Sequence, residues 1–310
     1  MKPELVMVGP MMPHVMETLD REFTVHRLWE AANRADLLKE VGPGVRAIAT
    51  SGNLGAGADL MDALPKLEII GCYGVGVDSI DLQHAAKRKV IVTNTPDVLN
   101  DDVANMAIAL LLATSREICN GDRYVREGKW LKGAMHLTRA IRGRRLGILG
   151  LGRIGKDIAR KAEVFGMEIA YHGRSRQDVP YRYYADLVEM ARDCDFLVAI
   201  CPGGPATDKI VDRAVFDALG PEGIFINVAR GSVVDEPALV AALQEGRLGG
   251  AGLDVFAQEP EVPEALLAME QAVLQPHAAS ATHETRRAMG DLVVANLRAH
   301  FAGKPVLTPV

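Results

Sequence analysis

Three side chains suited to ligand binding and proton transfer lie in the last third of the sequence, at Arg230, Glu259 and His277. An arginine offers a planar set of donors that can hold a carboxylate and polarise the carbonyl beside it. A histidine can give or take a proton near neutral pH, and a neighbouring glutamate can orient the ring and favour its protonated form. Alone, each has an ordinary alternative: a sheet-edge ion pair, an exposed turn acid or a capping residue. Together they predict an acid–base centre.

A glycine-rich turn with glycines at 150, 152 and 155 points to a second chemistry. It directly follows the apolar run 146–149 and precedes a helical pattern over 154–165, the setting that a dinucleotide-binding turn requires. Gly150 permits the tight turn, Gly152 lets the backbone approach a pyrophosphate, and Gly155 lets helix and strand pack closely. The pattern predicts a dinucleotide site, with a ligand-free glycine turn as the alternative.

The strand predicted after that helix does not end in an acid. NAD sites use a carboxylate there to bind the ribose 2′-hydroxyl, whereas this chain has Gly173 followed by Arg174, Ser175 and Arg176. Guanidinium groups bind phosphate in a bidentate manner, and a serine adds a donor. NADP(H) is therefore the preferred cofactor, with NAD(H) as the alternative. The competing interpretation makes both arginines solvated loop charges and lets Asp178 supply a late acid.

The elements that must position these residues alternate between apolar strands and helical segments. Strands are predicted over 4–9, 46–51, 67–73 and 90–96, and again over 145–149, 167–171, 195–200, 223–228, 249–254 and 271–277. The second series has the six strands of a complete Rossmann sheet. The alternation predicts an α/β fold with two Rossmann-like, doubly wound domains and parallel sheets.

Two helical stretches define the predicted domain boundaries. A long helical run over 101–128 separates the two series of strands, and a last helix over 281–302 is expected to pack back on the N-terminal domain. We therefore predict a discontinuous first domain over 1–99 and 281–310, and a dinucleotide domain over 100–280. The apolar stretch 103–118 favours burial between layers or at the interface of a homodimer.

Three ordered motifs surround the acid–base residues: FINVARGSVVDEPALVAAL over 225–243, GAGLDVFAQEP over 250–260 and LQPHAAS over 274–280. Each follows a predicted strand and sets polar residues at the carboxyl edge of a sheet, where ligands of open α/β folds bind. With the glycine turn and YGVGVDSIDL over 73–82, they closely resemble the D-isomer-specific 2-hydroxyacid dehydrogenase family along essentially the whole chain. The resemblance implies that the first domain binds substrate and the second binds NAD(P).

The same resemblance implies specific roles. Arg230 would bind the substrate carboxylate and polarise the carbonyl, His277 would exchange the proton, and Glu259 would orient and charge His277; Arg230 and His277 would border both substrate and nicotinamide. The remaining implied contacts are the backbone amides of Val75 and Gly76 at the carboxylate, Asn53 and Leu54 beside the substrate, Asp254 near the nicotinamide carboxamide, Val228 and Ala229 in the nicotinamide pocket, Pro202 and Thr207 beside the adenosine, and the backbone amides of Arg153 and Ile154 at the pyrophosphate.

Within the family, the arginine pair and the short chain most resemble NADPH-dependent glyoxylate/hydroxypyruvate reductases. Reductases of aromatic or sugar 2-oxo acids are the alternative, followed by a non-catalytic, dinucleotide-sensing corepressor scaffold. The chain departs from the family at Asn100 and Asn105, where Thr and Glu are common, and at CPGGPAT over 201–207, where PLTPET is commoner. Trp130 is expected either to reach the active site of the partner subunit or to pack in an ordinary dimer interface.

Composition narrows the class of protein and its partners. A net charge of −5 argues against a general nucleic-acid binder, and no run approaches the roughly 18 apolar residues of a membrane span. The four cysteines are scattered, with no paired spacing and no histidine-rich segment, so we expect buried reduced thiols and no metal site. A cytoplasmic homodimer acting on a small 2-oxo or 2-hydroxy acid is the expectation.

Overall fold

The computed structural model describes residues 2–310, which divide into two compact units. One unit runs to Leu99 and resumes over Ala281–Val310, and the other is Asn100–Ser280. Each unit is built on a single parallel β-sheet, and helical crossovers join most of its consecutive strands. The predicted fold, two Rossmann-like α/β domains with the first one discontinuous, is confirmed.

The first unit carries a five-stranded sheet. Its elements before Leu99 are β1 (Glu4–Met7), α1 (Pro13–Glu22), β2 (Thr24–Arg27), α2 (Arg34–Val41), β3 (Val45–Ser51), α3 (Ala58–Asp62), β4 (Ile69–Tyr73), α4 (Leu82–Lys87) and β5 (Ile91–Thr93). The strands lie in the order β2-β1-β3-β4-β5 and all pair in parallel. The order reverses between β1 and β3, so the loops that follow these two strands border a crevice at the carboxyl edge of the sheet.

Burial explains which strands of this sheet the sequence reveals. Every residue of β4 is buried, because helices cover both faces of a parallel sheet, and such strands read as continuous apolar runs. β2 lies at the edge of the sheet, is only partly buried and has the sequence TVHR. The sequence does not predict β2, because an exposed edge strand needs no apolar run.

The second unit carries a seven-stranded sheet. Its elements are α5 (Asn100–Ser115), α6 (Ile118–Arg126), β6 (Arg145–Leu149), α7 (Arg153–Val164), β7 (Glu168–His172), β8 (Arg182–Tyr184), α8 (Leu187–Asp193), β9 (Phe196–Ala199), α9 (Arg213–Leu219), β10 (Ile224–Asn227), α10 (Glu236–Gln244), β11 (Gly250–Leu253), α11 (Glu264–Leu267) and β12 (Ala272–Leu274), with short 3-10 turns over Lys129–Lys132 and Gly231–Val233. The parallel strands lie in the order β12-β11-β10-β9-β6-β7-β8. The order reverses between β6 and β9, which places the glycine turn at the switch point of a Rossmann sheet.

The prediction of six strands in this sheet is wrong by one. The extra strand, β8, has the sequence RYY and lies at the edge, where it pairs only with β7. Tyr171 of β7 pairs with Tyr183 of β8, and the two ring centroids lie 5.3 Å apart. A short polar edge strand of this kind has no apolar pattern by which the sequence could reveal it.

The long helical run over 101–128 is two helices and not one. Glu117 adopts the left-handed conformation, with φ of 50°, and separates α5 from α6. Most apolar residues of α5 are buried within the second unit, where the helix packs against α7, β10 and β11. Burial between layers is therefore observed for α5, whereas Ile118 at the end of the stretch 103–118 is exposed.

The chain ends on the first unit. Helix α12 (His283–Phe301) packs against α1 and β4, and its Val293 and Leu297 lie over Gly71, whose missing side chain leaves room for them. Beyond α12, Pro309 pairs with Thr93 in an antiparallel bridge, and the amide of Val310 donates to the carbonyl of Val92. The terminal segment thus adds to the free edge of β5.

No disulfide joins any of the four cysteines, but they are not all buried as expected. Cys72, Cys194 and Cys201 are buried, whereas Cys119 on α6 is exposed. Burial raises the pKa of Cys194 to about 12 and that of Cys201 to about 11, so both remain thiols at neutral pH.

Residues 2–310 contain no group of three His, Cys, Asp or Glu side chains arranged to hold a metal ion. Within the same residues, no helix combines the length and apolar character needed to cross a bilayer.

Candidate active site

The glycine turn joins β6 to α7 at the switch point. Gly150 has φ of 102°, and a Cβ there would lie 2.8 Å from the backbone of Cys201. A Cβ on Gly155 would lie 2.2 Å from the carbonyl oxygen of Gly150, so helix and strand can pack this closely only with glycine at both positions. The two outer glycines of the motif are thus required by the fold itself.

Gly152 differs from the other two glycines of the turn. A Cβ on it would meet nothing within 4 Å, so the packing of this chain does not require a glycine there. It is exposed and precedes Arg153, the first residue of α7, whose earliest intrahelical bond runs from the Lys156 amide to the Gly152 carbonyl. The N-terminus of α7 therefore presents backbone amides, including that of Ile154, beside a glycine that leaves space for an anion, which fits a pyrophosphate.

The predicted phosphate-selecting residues, Arg174, Ser175 and Arg176, lie in an exposed loop after β7. Neither arginine has a hydrogen bond or ion pair to any other group within residues 2–310. Asp178, the alternative acid, is also exposed and forms no hydrogen bond in that range. Two unpaired guanidinium groups at the end of the second strand give this position the charge that a 2′-phosphate needs.

Gln177 anchors this loop through two hydrogen bonds, a role that the sequence did not predict. Its side-chain amide donates to the carbonyl of Leu151 in the glycine turn at 2.8 Å. Its backbone amide donates to the Tyr171 hydroxyl at 2.7 Å. The arginine loop and the glycine turn are therefore tied together directly. No motif signals such a bond, because its acceptor is a backbone carbonyl far away in the sequence.

Arg230 immediately precedes the 3-10 turn that follows β10. Asn227 at the end of β10 shapes this turn: its side chain donates to the Arg230 carbonyl at 3.0 Å and accepts from the Ala229 amide at 3.0 Å. The guanidinium of Arg230 is half-buried and donates to the Ala229 carbonyl at 2.7 Å. Val228 and Ala229, the predicted nicotinamide-pocket residues, are buried beside it.

Glu259 and His277 form the hydrogen-bonded pair that the sequence predicts. The Nδ1 atom of His277 lies 2.7 Å from Oε2 of Glu259, and the amide of Phe256 donates to Oε1 at 3.1 Å. Both side chains are about one-quarter exposed, at 25% for Glu259 and 29% for His277. A ligand can therefore reach the imidazole of His277 while Glu259 is hydrogen-bonded to its Nδ1 atom.

The charge state of Glu259 follows from its neighbours. Burial by itself raises the pKa of this carboxyl group. The hydrogen bonds from His277 and the Phe256 amide, with the positive charges of His277 when protonated and of Arg230, outweigh burial and hold the pKa of Glu259 below its ordinary value. Glu259 is thus an anion at neutral pH.

Asp254 holds the loop that carries His277. It is 1% exposed, and its two oxygens accept the amides of Ala278 at 2.7 Å and Ala279 at 3.0 Å, while the His277 amide donates to its carbonyl at 2.8 Å. Burial raises the pKa of Asp254, and the two amide hydrogen bonds counter part of that effect. This residue was predicted to approach the nicotinamide carboxamide; the contacts seen here are those of a support for His277, which has φ of 52°.

The predicted adenosine residues lie in the loop after β9. The hydroxyl of Thr207 donates to the carbonyl of Pro202 at 2.6 Å and closes the loop 201–207 on itself. Pro202 is exposed and Thr207 is half-buried. The bond gives this glycine-rich loop a defined shape beside the glycine turn.

The predicted substrate residues of the first unit follow β3 and β4. Asn53 and Leu54 are exposed in the turn after β3, and Leu54 is 54% exposed. Val75 and Gly76 are half-buried in the turn after β4. The two turns are joined, because the Ser79 hydroxyl donates to the carbonyl of Gly52.

Comparison with known proteins decides the family. A sequence profile for the NAD binding domain of D-isomer specific 2-hydroxyacid dehydrogenases matches residues 108–279. The hydroxyphenylpyruvate reductase of Plectranthus scutellarioides is 52% identical over 307 residues, which cover 99% of this chain and 98% of that protein. The chain belongs to the D-isomer-specific 2-hydroxyacid dehydrogenase family.

Two further relatives of this 2-hydroxyacid dehydrogenase agree with the assignment. Glyoxylate/hydroxypyruvate reductase A HPR2 of Arabidopsis thaliana is 49% identical over 99% of this chain and 98% of its own length. The crystal structure of an NADPH-dependent glyoxylate/hydroxypyruvate reductase of Sinorhizobium meliloti, in complex with NADP and malonate, matches with a TM-score of 0.94. It is 48% identical and covers 100% of this chain and 97% of that one. The predicted family is confirmed, and the chain is an oxidoreductase.

Two of the departures from the family pattern, Asn100 and Asn105, lie at the start of α5. Asn105 is exposed and donates to Asp101 at 3.1 Å, and Lys161 of α7 donates to the same carboxylate at 2.7 Å. The hydrogen bond from Lys161, more than any other contact, lowers the pKa of Asp101. Asn105 therefore serves the packing of α5 on α7 in this dehydrogenase, and Asn100 is the first residue of α5.

Proposed function

We propose that this protein reduces a small 2-oxo acid of the glyoxylate/hydroxypyruvate class to the D-2-hydroxy acid, with NADPH as the preferred reductant. The observation that carries the proposal is the 2.7 Å hydrogen bond between His277 and Glu259, beside the exposed face of an imidazole in a dehydrogenase of this family. The names of the Arabidopsis and Sinorhizobium relatives support the substrate class.

Each residue of the proposed centre has one task. Arg230 binds the substrate carboxylate and polarises the adjacent carbonyl, since its guanidinium can donate to two oxygens at once. His277 donates a proton from Nε2 to the carbonyl oxygen as that oxygen becomes a hydroxyl. Glu259 accepts from Nδ1, which orients the ring and stabilises the imidazolium before the transfer. Bound NADPH supplies the hydride that adds to the carbonyl carbon.

Cofactor choice rests on the loop after β7. Arg174 and Arg176, with the Ser175 hydroxyl, provide donors for a 2′-phosphate, and no acid in the described chain pairs with either arginine. The NADP complex of the Sinorhizobium relative supports this choice. NADH remains the alternative cofactor, and the space around Gly173 is open, since a Cβ there would meet nothing within 4 Å.

A panel of substrates and cofactors tests the proposal. Purified enzyme is given glyoxylate, hydroxypyruvate, hydroxyphenylpyruvate and 2-ketogluconate, each with NADPH and with NADH, and loss of the reduced nicotinamide absorbance is followed. We expect the highest kcat/KM with NADPH and one of the first two acids. A preference for hydroxyphenylpyruvate would instead assign the aromatic alternative, which the Plectranthus relative favours. Tight NADPH binding without turnover of any 2-oxo acid would favour the scaffold alternative.

We also propose that the protein is a homodimer. Apolar side chains are exposed along the segment 118–137, with exposures of 55% for Ile118, 67% for Trp130, 94% for Leu131 and 97% for Leu137. A set of large apolar side chains so exposed is typical of a protein–protein interface. In the proposed dimer, Trp130 lies in or beside the interface. A cytoplasmic location stays a prediction.

A further inference from the structure

In the turn over 74–76 of the first unit, two carbonyls accept hydrogen bonds, whereas two amides have no acceptor among the described residues. The carbonyl of Gly74 accepts from the Thr95 amide at 2.9 Å, and the carbonyl of Val75 accepts from the Asn94 side chain at 2.8 Å. The amides of Val75 and Gly76 donate to no group within residues 2–310. Two adjacent free amides can donate together to one anion.

Planarity of the peptide bond explains how a hydrogen bond to each carbonyl sets the direction of the amide that follows it. In a trans peptide the carbonyl oxygen and the following N–H point in opposite directions. The Asn94 bond to the Val75 carbonyl therefore directs the Gly76 amide away from Asn94, and the Thr95 bond to the Gly74 carbonyl does the same for the Val75 amide. The backbone contact from Thr95 survives any side-chain substitution, so Asn94 is the side chain that sets this geometry.

Asn94 is itself held from behind. Its amide donates to the Thr308 carbonyl at 3.2 Å, and its carbonyl accepts from the Thr308 hydroxyl at 2.6 Å. Thr308 is anchored by Asn296 of α12, which is fully buried and donates to the Thr308 hydroxyl at 2.8 Å. A chain of hydrogen bonds thus runs from the interior of α12 through Thr308 and Asn94 to the Val75 carbonyl.

We propose that Asn94 is a positioning residue for substrate: it aims the free amides of Val75 and Gly76 at the carboxylate of the 2-oxo acid. The inference rests on the proposed function, together with the contact between these amides and the carboxylate, beside Arg230, that the family resemblance implies. Asn94 acts through the peptide plane and touches neither substrate nor cofactor. Its loss therefore weakens carboxylate binding without affecting proton transfer or the cofactor.

The test compares Asn94→Ala and Asn94→Leu with the wild-type enzyme in the presence of NADPH. Both variants remove the donor, and the leucine also keeps most of the side-chain volume. We expect the KM for glyoxylate to rise roughly tenfold, with kcat and the KM for NADPH changed less than about twofold. Affinity for oxamate, a non-reacting 2-oxo acid analogue, measured by calorimetry on the NADPH-loaded enzyme should fall by the same factor.

Two further variants make the result specific. Thr308→Val removes the hydroxyl behind Asn94 and should raise the glyoxylate KM in the same direction by a smaller factor. Asn33→Ala removes the side-chain cap of α2 in the same unit, so it serves as the control for a general loss of stability and should leave the KM unchanged.

Wild-type values of glyoxylate KM and oxamate affinity in the folded Asn94 variants would overturn the inference alone. A tenfold rise that also appears in Asn33→Ala would overturn it too, since the effect would then be one of stability. If the wild-type enzyme neither reduces glyoxylate nor binds oxamate, the proposed function fails and the inference falls with it.

Discussion

Glu259 holds Nδ1 of His277 at 2.7 Å, while Nε2 of the same ring has no hydrogen-bond partner within residues 2–310. The first contact fixes which nitrogen faces the protein, and so the second nitrogen is the one that meets a ligand. Asp254 fixes the backbone on which the ring stands, through the amides of Ala278 and Ala279. The histidine is therefore constrained on two sides and open on the third.

Replacing His277 by Ala should lower kcat for glyoxylate reduction by about a hundredfold to ten-thousandfold, the usual contribution of a general acid. NADPH binding should stay nearly intact, because the glycine turn and the arginine loop lie on other elements of the unit. Stopped-flow turnover and fluorescence titration of NADPH check the two parts. Loss of NADPH binding would show that the ring supports the cofactor and not the proton transfer.

Replacing Glu259 by Gln should change the pH profile of kcat/KM at its acid end. Since the pKa of Glu259 lies below its ordinary value, the wild-type carboxylate stays charged as the pH falls and loses its charge only below the usual range of a glutamate. The variant has no such group, so the acid limb due to Glu259 should disappear.

A profile of unchanged shape in Glu259→Gln, with only a lower maximum, would contradict the role of its charge. Glu261→Gln is the matched control, because this acid lies two residues further along the same loop. Its profile should coincide with that of the wild-type enzyme.

Replacing Arg174 and Arg176 together by Ala should raise the KM for NADPH about tenfold or more, with much less effect on NADH. The reason is that only NADPH carries a 2′-phosphate for the two guanidinium groups to bind. Initial rates with each cofactor at saturating glyoxylate give both constants. Arg213→Ala, an exposed arginine on α9, controls for the loss of surface charge. Equal effects on both cofactors would remove the phosphate assignment.

Replacing Leu131 and Leu137 together by Glu should convert a dimer into a monomer, because it puts two charges into an apolar contact. Light scattering after gel filtration should show the mass fall by half. Leu267→Glu changes another exposed leucine of the same unit, at 64% exposure, and should leave the mass unchanged. A wild-type protein that is monomeric would contradict the dimer.

The sequence predicted best those parts that burial or the backbone dictates. The buried strands β3, β4, β6, β9, β10 and β11 read as apolar runs, and the turn at 150–155 is recognisable since a side chain at Gly150 or Gly155 would collide with backbone. The pairing of Glu259 with His277 followed from the motif that each occupies. These features depend on residue type at the position itself.

The rest depends on partners distant in sequence. The edge strands β2 and β8 form because the neighbouring strands β1 and β7 have backbone groups available for pairing. The sequences TVHR and RYY do not by themselves predict a strand. The side chains of Gln177 and Asn94 each donate to one backbone carbonyl. Because every residue has a backbone carbonyl, the residue type of the acceptor does not reveal the bond. The break between α5 and α6 at Glu117 could not be predicted either, because glutamate ordinarily favours a helix.

Because the chain returns to its first sheet after the second unit, the two units can complete their folding only in a certain order during synthesis. Val293 and Leu297 of α12 cover β4, and Thr308 reaches Asn94, yet all three are made after the whole of Asn100–Ser280. The second unit is continuous, so it can complete its core while the ribosome is still translating. The N-terminal strands, although made first, must wait for the last thirty residues or so before β4 is covered. A nascent chain stalled before α12 would therefore hold a finished nucleotide fold beside an unfinished one.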